Sequence, residues 1–250
     1  MSTGSTIKRE LNIPGDNLSG VIQAMDFLTH NNKYVDGQLD KHLSKYDAKG
    51  KNVIVIGGGD TGSDCIGTSN RHGAKNVINF ELAAKPSKER EMENPWPYWP
   101  FTLKSSSSHE EGVNRKWSIL TKKFIGDDDG NIISLQTVNV KFDDEKKQFI
   151  EIPKSEKNWD CDLVILALGF TGPDNDLPKK LNIDLNKRGN ISSNSNYQTK
   201  KNNIFTAGDC RRGQSLIVWA ISEGREASYH IDKYLMGSSN LPRKDSFGDL

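Results

Sequence analysis

Short runs of apolar residues, separated by polar and glycine-rich stretches, define the first predicted elements. Residues 52–56 (NVIVI), 76–80 (NVINF) and 163–168 (LVILAL) are mostly aliphatic, which is typical of strands buried in a parallel sheet. Residues 60–72 are predicted to form a helix between the first two strands, and Gly73 is its stop signal. Helices that alternate with buried strands indicate the α/β class with a mostly parallel sheet.

Weaker patterns lie on either side of this unit. Residues 21–28 are rich in apolar side chains and predict a short, well-buried helix. Imperfect alternation at 132–140 and at 149–152, with a GDDDG turn at 126–130, predicts a small antiparallel meander.

The C-terminal part predicts two more elements. A short strand at 204–207 ends at Gly208 and Asp209, and a helix is predicted from about residue 215 to residue 236. The apolar side of that helix is formed by Ile217, Val218, Ala220, Ile221, Ala227 and Ile231.

Composition and charge exclude several classes of protein. The 34 basic and 33 acidic residues nearly cancel, so no net field would recruit nucleic acid or an anionic membrane. Neither an apolar run long enough to span a membrane nor an apolar N-terminal segment is present, so a cytoplasmic location is expected. The histidines are scattered without metal-ligand spacing, and no metal site is predicted.

Cys65, Cys161 and Cys210 are far apart in the sequence and form no CxxC motif. That spacing argues against a redox-active disulfide or a cysteine-ligated cluster within this chain. Small buried residues or free thiols in a reducing compartment are expected instead.

A glycine-rich turn follows the strand at 52–56. In its GxGxxG spacing, Gly57 permits the tight turn, Gly59 lets backbone approach a pyrophosphate, and Gly62 lets the helix pack closely. The helix N-terminus offers free N–H groups to the phosphates. The motif alone is weak, but its position between a buried strand and a helix makes it specific. The residues predicted to bind the dinucleotide here are Gly57, Gly58, Gly59, Asp60, Thr61 and Gly62, with Asp60 or Thr61 as the helix cap.

Glu81 stands at the end of the second strand, where a carboxylate can accept hydrogen bonds from the adenosine ribose hydroxyls. It would also repel the 2′-phosphate of NADPH, and no arginine follows it in sequence. The sequence therefore predicts NADH as the ligand, and predicts that Glu81→Arg shifts the preference toward NADPH. The alternative is a solvated glutamate at a strand end.

Residues 82–117 show no regular pattern. Their NPWPYWP block at 94–100 carries three prolines, which exclude a helix interior and a central strand. The block is either a lid over the nicotinamide or a contact for other domains, or else a rigid loop whose rings cover the core. Lys85, Lys88 and Arg90 either touch the phosphates or form a solvated basic loop.

A second nucleotide signature lies near the C-terminus. The strand at 204–207 ends in Gly208 and Asp209, and the following helix begins beside a glycine. Asp209 can accept a bond from a ribityl hydroxyl, while helix amides near Gln214 and Ser215 face the electron-rich edge of a flavin. The alternative is that Asp209 only caps a helix.

Three blocks of the chain resemble the pyridine-nucleotide half of glutamate synthase. They are VIVIGGGDTGSDCIGTSNRHGAKNVINFEL, NPWPYWP with TKKFIGDDDGNI, and FTAGDCRRGQSLIVWAISEGREA. The sequence is most similar to the NADH-dependent eukaryotic form, and more distantly similar to the bacterial small subunit. The resemblance covers nearly the whole chain.

The resemblance implies a function and its cofactors. In this family electrons pass from NADH to FAD, then through iron–sulfur clusters to FMN, for synthesis of glutamate from glutamine and 2-oxoglutarate. By resemblance, Gly57, Gly59, Gly62 and Glu81 bind NADH. Gly208 and Asp209 bind FAD, and Gly169 lies where backbone approaches the cofactors. No acid–base residue is predicted, because in hydride transfer the cofactors carry the chemistry.

The resemblance also implies a fragment. The family carries an earlier GxGxxG unit for the FAD pyrophosphate, an iron–sulfur segment and further domains, which are the expected partners. The predicted fold is a Rossmann-like NAD(P)-binding domain inserted in a partial FAD-binding domain. Its expected bounds are 1–14 and 173–250 for the FAD part and 15–172 for the NAD(P)H part. A non-catalytic NADH-binding module and a different FAD/NAD(P)-dependent reductase remain as alternatives.

Overall fold

The computed structural model describes residues 1–96 and 101–244, which form eleven strands and six α-helices. The strands are β1 (Ile7–Lys8), β2 (Val21–Gln23), β3 (Asn52–Ile56), β4 (Asn76–Phe80), β5 (Asn114–Lys116), β6 (Ile119–Gly126), β7 (Ile132–Asp143), β8 (Gln148–Glu151), β9 (Lys157–Asp160), β10 (Leu163–Leu166) and β11 (Phe170–Gly172). The helices are α1 (Ala24–Val35), α2 (Asp60–Arg71), α3 (Ser107–Glu110), α4 (Asp176–Lys180), α5 (Asp209–Arg212) and α6 (Ile217–Met236).

The chain divides into two compact units. Residues 10–168 form one unit, and Met1–Arg9 with the chain from Gly169 onward form the other. We call these the central unit and the terminal unit. Their boundaries follow Arg9 and Leu168, whereas the sequence placed the domain boundaries after residues 14 and 172. The assignment of the two units to NAD(P)H and FAD remains a prediction.

A five-stranded parallel sheet, in the order β2-β10-β3-β4-β5, forms the middle of the central unit. The predicted strands at 52–56 and 76–80 are confirmed, and the strand at 163–168 forms over Leu163–Leu166. Residues 21–23 were wrongly assigned to a helix. They pair with β10 as an edge strand, and the helix begins only at Ala24.

Alternate residues of the central strands face opposite layers. Val55 and Ile165 pack beside Phe27 of α1 and Ile66 of α2. Ile54, Ile56, Val164 and Leu166 pack on the other side, against Phe124, Ile132 and Leu135 of the antiparallel sheet. Burying one such side chain contributes about 1.5–3 kcal/mol, so a sheet covered on both faces explains the continuous apolar runs.

The antiparallel meander is confirmed. Strands β6, β7 and β8 pair in order, and β9 pairs with β7. The segment 82–117, expected to be irregular, also contains the short helix α3 and strand β5. Strand β5 is the edge strand of the parallel sheet and pairs only with β4. Its residues are polar, so no apolar pattern in the sequence predicts it.

The terminal unit holds a small apolar core and the long helix α6. Ile183, Ile191 and Cys210 form that core, and β1 pairs with β11. The predicted strand at 204–207 is wrong: it is reduced to a bridge between Gln198 and Phe205. The Thr206 N–H donates to the Tyr197 carbonyl at 2.8 Å, and the Ala207 N–H donates to the Met1 carbonyl at 3.1 Å.

Helix α6 begins at Ile217, two residues after the predicted start at Ser215. Much of the apolar side that was predicted to face the core is exposed instead. Ile217, Val218 and Ile221 are 76%, 59% and 51% exposed, whereas Glu223 is 1% exposed. The buried glutamate is held by polar partners, which the apolar pattern of the helix does not reveal.

The expectation for the cysteines is confirmed, since all three are buried and free. Burial raises the pKa of the Cys161 thiol to about 12 and raises that of Cys65 as well, which leaves both thiols protonated and unreactive at neutral pH. Among the described residues, no helix has both the length and the apolar character needed to cross a bilayer.

Candidate functional site

The glycine-rich turn connects β3 to α2 at the carboxyl end of the parallel sheet. The Gly57 N–H donates to the Phe80 carbonyl at 2.9 Å, which ties the turn to β4. Gly57 has φ +119°, and a Cβ there would lie 2.1 Å from the Ala167 carbonyl oxygen. Only glycine is compatible with both conditions.

The two other motif glycines differ in their surroundings. A Cβ at Gly59 would meet nothing within 4 Å, so the backbone here is open to a ligand. A Cβ at Gly62 would lie 2.4 Å from the Gly57 carbonyl oxygen, so Gly62 lets α2 pack against the turn itself. Gly59 is the N-cap of α2 and no side chain caps the helix. The expectation that Asp60 or Thr61 caps it is therefore wrong, because both already lie in its first turn.

Asn79 braces the turn from the neighbouring strand β4. Its side-chain Nδ2 donates to the carbonyls of Val55 at 3.1 Å and Gly57 at 2.8 Å, and the residue is fully buried. This role of Asn79 was not predicted from the sequence. The available signal was an asparagine inside an otherwise apolar strand, where a buried amide requires partners.

Glu81 follows β4 and lies directly against the turn. A Cβ at Gly58 would be 2.1 Å from the Glu81 Oε2 atom, so glycine at this position leaves room for the carboxylate. The backbone of Glu81 is held by Lys116 and Ile119 through hydrogen bonds of 2.8 and 3.1 Å. The structure thus brings together Glu81 and all the predicted glycines of the central unit.

An arginine stands beside Glu81 in space, although none does in sequence. Strand β5 pairs in parallel with β4, with Asn79 opposite Arg115. The Arg115 Nη2 atom donates to Glu81 Oε1 at 2.7 Å, and both side chains are mostly buried, with 12% and 16% exposed. The expectation that no arginine stands beside Glu81 is therefore wrong, because Arg115 forms an ion pair with its carboxylate.

Aromatic and basic groups surround the pair. The Arg115 Cζ atom and the Lys85 Nζ atom each lie 5.0 Å from the centroid of a Trp117 ring. His109 accepts the Ser106 N–H at Nδ1, 3.0 Å away, and its Nε2 lies 3.4 Å from the Ser63 hydroxyl. Burial is the main cause that lowers the pKa of His109, and the positive charge of Arg115 lowers it further. The ring is therefore neutral at pH 7.

The terminal unit contains the second set of predicted residues. Gly208 has φ +77° and a Cβ there would meet nothing within 4 Å. Its N–H donates to the Glu223 Oε2 atom at 2.9 Å, and Arg211 binds the other oxygen of the same buried carboxylate at 2.6 Å. Asp209 begins the short helix α5. Sequence reasoning missed Glu223, which holds this turn from α6.

Gly169, Gln214 and Ser215 lie in the same unit. The Gly169 carbonyl accepts the Arg9 N–H at 3.0 Å. The Gln214 side chain donates to the Phe170 carbonyl at 2.6 Å and accepts from the Ser5 hydroxyl at 3.2 Å. The side chain of Gln214 is thus engaged within the protein, and the amides that begin α6 follow Leu216 rather than Ser215.

The NPWPYWP block lies partly outside the described residues, since residues 97–100 are not described. Trp96 within the block is 82% exposed, and Phe101 directly after it is 75% exposed, so these two rings do not cover the core. Within the described residues, no group of histidine, cysteine, aspartate or glutamate side chains is arranged to hold a metal ion.

Comparison with known proteins gives a family and several relatives. The profile of the family described as pyridine nucleotide-disulphide oxidoreductase matches residues 1–224. The glutamate synthase [NADH] of Schizosaccharomyces pombe is 46% identical over 97% of this chain, which spans 12% of that protein. The glutamate synthase [NADPH] small chain of Mycobacterium tuberculosis is 44% identical over 97% of this chain, which spans 50% of that protein.

Solved structures share the fold at low sequence identity. FprA of Mycobacterium tuberculosis, in complex with NADPH, has a TM-score of 0.67 and 14% identity, with 94% of this chain and 63% of that chain covered. Thioredoxin reductase of T. acidophilum has a TM-score of 0.60 and 19% identity, with 94% and 64% covered. The chain therefore shares the fold of FprA and thioredoxin reductase.

Proposed function

The chain belongs to the pyridine nucleotide-disulphide oxidoreductase family, and from this membership we propose that it is the NADH-binding part of a glutamate synthase. In this role the chain would bind NADH and hold it for hydride transfer to FAD, for the synthesis of glutamate from glutamine and 2-oxoglutarate. The observation that carries the proposal is the open glycine turn with Glu81 packed against it, in a chain 46% and 44% identical to two glutamate synthases.

The turn in the central unit fits a dinucleotide. Gly59 leaves open space above the backbone, and α2 is twelve residues long with no side chain capping its first amides. Those amides and the helix dipole favour a pyrophosphate. Glu81, pressed against Gly58, is placed to accept a ribose hydroxyl. The residues proposed to bind NADH are Gly57, Gly58, Gly59, Asp60, Thr61, Gly62 and Glu81.

Residues of the terminal unit are proposed to contribute to FAD binding. Gly208 has a positive φ and open space around its Cβ position, which allows a ligand to approach the backbone. Asp209 follows it and offers a carboxylate to a ribityl hydroxyl. Gly169 and Ser215 are proposed as further backbone contacts, while Gln214 acts by holding the Phe170 carbonyl.

The protein's part in the reaction is positioning. When bound, NADH would supply a hydride from its nicotinamide ring and FAD would accept it. The chain binds the phosphates, orients the ribose through Glu81 and keeps the turn rigid through Asn79. Buried thiols such as Cys65 have raised pKa values and take no part.

The partners follow from the extent of the match. Because the chain spans 12% of the yeast relative and 50% of the bacterial one, the proposed enzyme includes further glutamate synthase domains or a subunit. The iron–sulfur clusters and FMN belong to those parts.

Nucleotide binding, flavin content and acceptor reduction by the purified chain test the proposal. We expect the purified chain to bind NADH. Binding would be detected as a change in NADH fluorescence when the chain is added. A flavin absorbance spectrum and reduction of ferricyanide by NADH would support an enzyme part. A colourless chain that binds NADH would instead indicate a non-catalytic module, and a chain that binds no nicotinamide nucleotide would contradict the proposal.

A chimera tests the assignment to glutamate synthase. We expect the yeast glutamate synthase [NADH] to keep NADH-dependent glutamate formation when this chain replaces its matching region, since the two are 46% identical. Gly59→Ala in the same chimera should lower that activity at least about tenfold at limiting NADH, because the added methyl group hinders the pyrophosphate. A folded chimera that reduces ferricyanide but forms no glutamate would point to a different reductase.

A further inference from the structure

The relatives do not settle which nicotinamide nucleotide this site prefers. The Schizosaccharomyces pombe protein is named for NADH and the Mycobacterium tuberculosis chain for NADPH, yet they are 46% and 44% identical to this chain. The preference must therefore be sought in the side chains around the adenosine end of the turn. The groups there are Glu81 and the residues that contact it.

Arg115 changes the electrostatics of that end. A lone carboxylate beside the ribose would repel a 2′-phosphate, but here Arg115 lies 2.7 Å from Glu81 and cancels its charge. Because both side chains are mostly buried, solvent screens the pair only weakly. The negative charge that would exclude NADPH is therefore largely neutralised.

The guanidinium is also suited to bind a phosphate. Its Nη1 atom donates to the Lys104 carbonyl at 2.8 Å and its Nη2 atom to Glu81, while Nε is buried with no hydrogen-bond partner among the described residues. Trp117 flanks the guanidinium, and Lys85 lies 5.0 Å from a Trp117 ring, so a second cation is near. Arginine binds phosphates with paired N–H groups, and this one is held in place by an aromatic ring.

We infer that Arg115 sets the nucleotide preference of this site, by neutralising Glu81 and by offering its guanidinium to a 2′-phosphate. The site then takes both NADH and NADPH, with only a weak preference for NADH. This inference rests on the proposed function, because it concerns the adenosine end of the same nucleotide site.

Dissociation constants of NADH and NADPH for the full chain and its variants test this inference. We expect the wild-type constants to lie within about tenfold of each other. In Arg115→Gln the uncompensated Glu81 should weaken NADPH binding by at least about tenfold and NADH binding by less than about threefold. Adenosine 2′,5′-bisphosphate and ADP lack the nicotinamide and can be tested as competitors. Arg115→Gln should weaken the binding of the bisphosphate much more than the binding of ADP.

Further variants keep the test independent of how well Arg115→Gln folds. Arg115→Lys retains the charge and should keep the ratio of the two constants within about threefold of wild type. Glu81→Gln should favour NADPH by about tenfold, and adding Arg115→Gln should remove that gain. Arg71→Gln is the matched control: Arg71 is paired with Glu111 on the same unit, and its loss should leave the ratio unchanged.

Three results would overturn the inference. These are an unchanged ratio in Arg115→Gln, equal weakening of both nucleotides in that variant, and persistence of the NADPH gain in the double variant. In each case the wild-type chain still binds NADH, and the proposed function stands. A wild-type chain that binds neither nucleotide would contradict the proposed function and this inference together.

Discussion

Gly57 and Gly59 lie two residues apart in one turn but are required for different reasons. Gly57 has a positive φ and faces the Ala167 carbonyl, so its lack of a side chain serves the fold. Gly59 has an ordinary φ of −78° and faces open space, so its lack of a side chain leaves the backbone open to the proposed ligand. Stability and binding can therefore be separated by the same substitution at the two positions.

We predict that Gly57→Ala lowers the free energy of unfolding by about 2 kcal/mol or more, because of backbone strain and the clash with Ala167. Urea denaturation followed by circular dichroism measures this change. Gly59→Ala is the control: its stability should stay within about 1 kcal/mol of wild type, while its affinity for NADH falls at least about tenfold. Equal loss of stability in the two variants would contradict this account of the turn.

At the scale of elements, helices α1 and α2 and the segment between them meet at three histidines. The ring centroid of His42 lies 5.5 Å from that of His30 and 4.4 Å from that of His72. His30 accepts the Leu43 N–H at 3.0 Å and His72 accepts the Ala48 N–H at 3.4 Å. Each of these bonds needs an unprotonated ring nitrogen. The three histidines are far apart in the sequence, so the cluster could not be predicted from it. Packing of the helices brings them together.

The histidine cluster predicts loss of stability in mild acid. Burial is the main cause that lowers the pKa of both His30 and His72, and His42 adds to it. A depressed pKa in the folded state means that the contribution to stability is present above the unfolded value of about 6.5 and is lost as the pH falls through the folded value. The free energy of unfolding from urea titrations should be lower at pH 5 than at pH 7.5.

His30→Gln is the variant that checks the cause of this loss. Glutamine cannot titrate in this range, so part of the difference between pH 5 and pH 7.5 should disappear, even though the variant is less stable overall. Asn32→Gln is the control, because Asn32 lies on the same helix α1, is exposed and does not titrate, so the difference between the two pH values should stay as in wild type. A pH dependence that His30→Gln leaves unchanged would assign the acid sensitivity to other groups.

At the scale of the whole molecule, the two nucleotide signatures lie in different compact units. The glycine turn and Glu81 belong to the central unit, and Gly208, Asp209 and Glu223 belong to the terminal unit. Binding of NADH should therefore stabilise the units unequally. A ligand at about 100 times its dissociation constant adds roughly 2.7 kcal/mol to the stability of the state that binds it.

Hydrogen exchange measures this difference directly. We predict that saturating NADH slows amide exchange in peptides from β3 to β4, which carry the turn, and leaves peptides around Ile183 and Ile191 in the terminal unit little changed. Adenine alone is the control and should protect the turn less, since it lacks the pyrophosphate. Protection confined to the terminal unit would contradict the assignment of NADH to the central one.

The sequence by itself determined the βαβ unit, the meander and the glycine turn. The apolar runs of β3, β4 and β10 and the stop at Gly73 are local signals, and the glycine spacing states a backbone requirement that any fold must meet. The resemblance carried by the three sequence blocks pointed to glutamate synthases, two of which are 46% and 44% identical to this chain.

Only the tertiary structure decided the charge at the site. Arg115 reaches Glu81 through the pairing of β4 with β5, a polar edge strand that has no apolar pattern to reveal it. Asn79 and Glu223 likewise act through partners distant in sequence. The physical reason is that an ion pair or a hydrogen bond depends on which side chains the sheet brings within about 3 Å. Sequence reasoning predicted Glu81 as a nucleotide-binding residue, and the fold brought Arg115 within 2.7 Å of it.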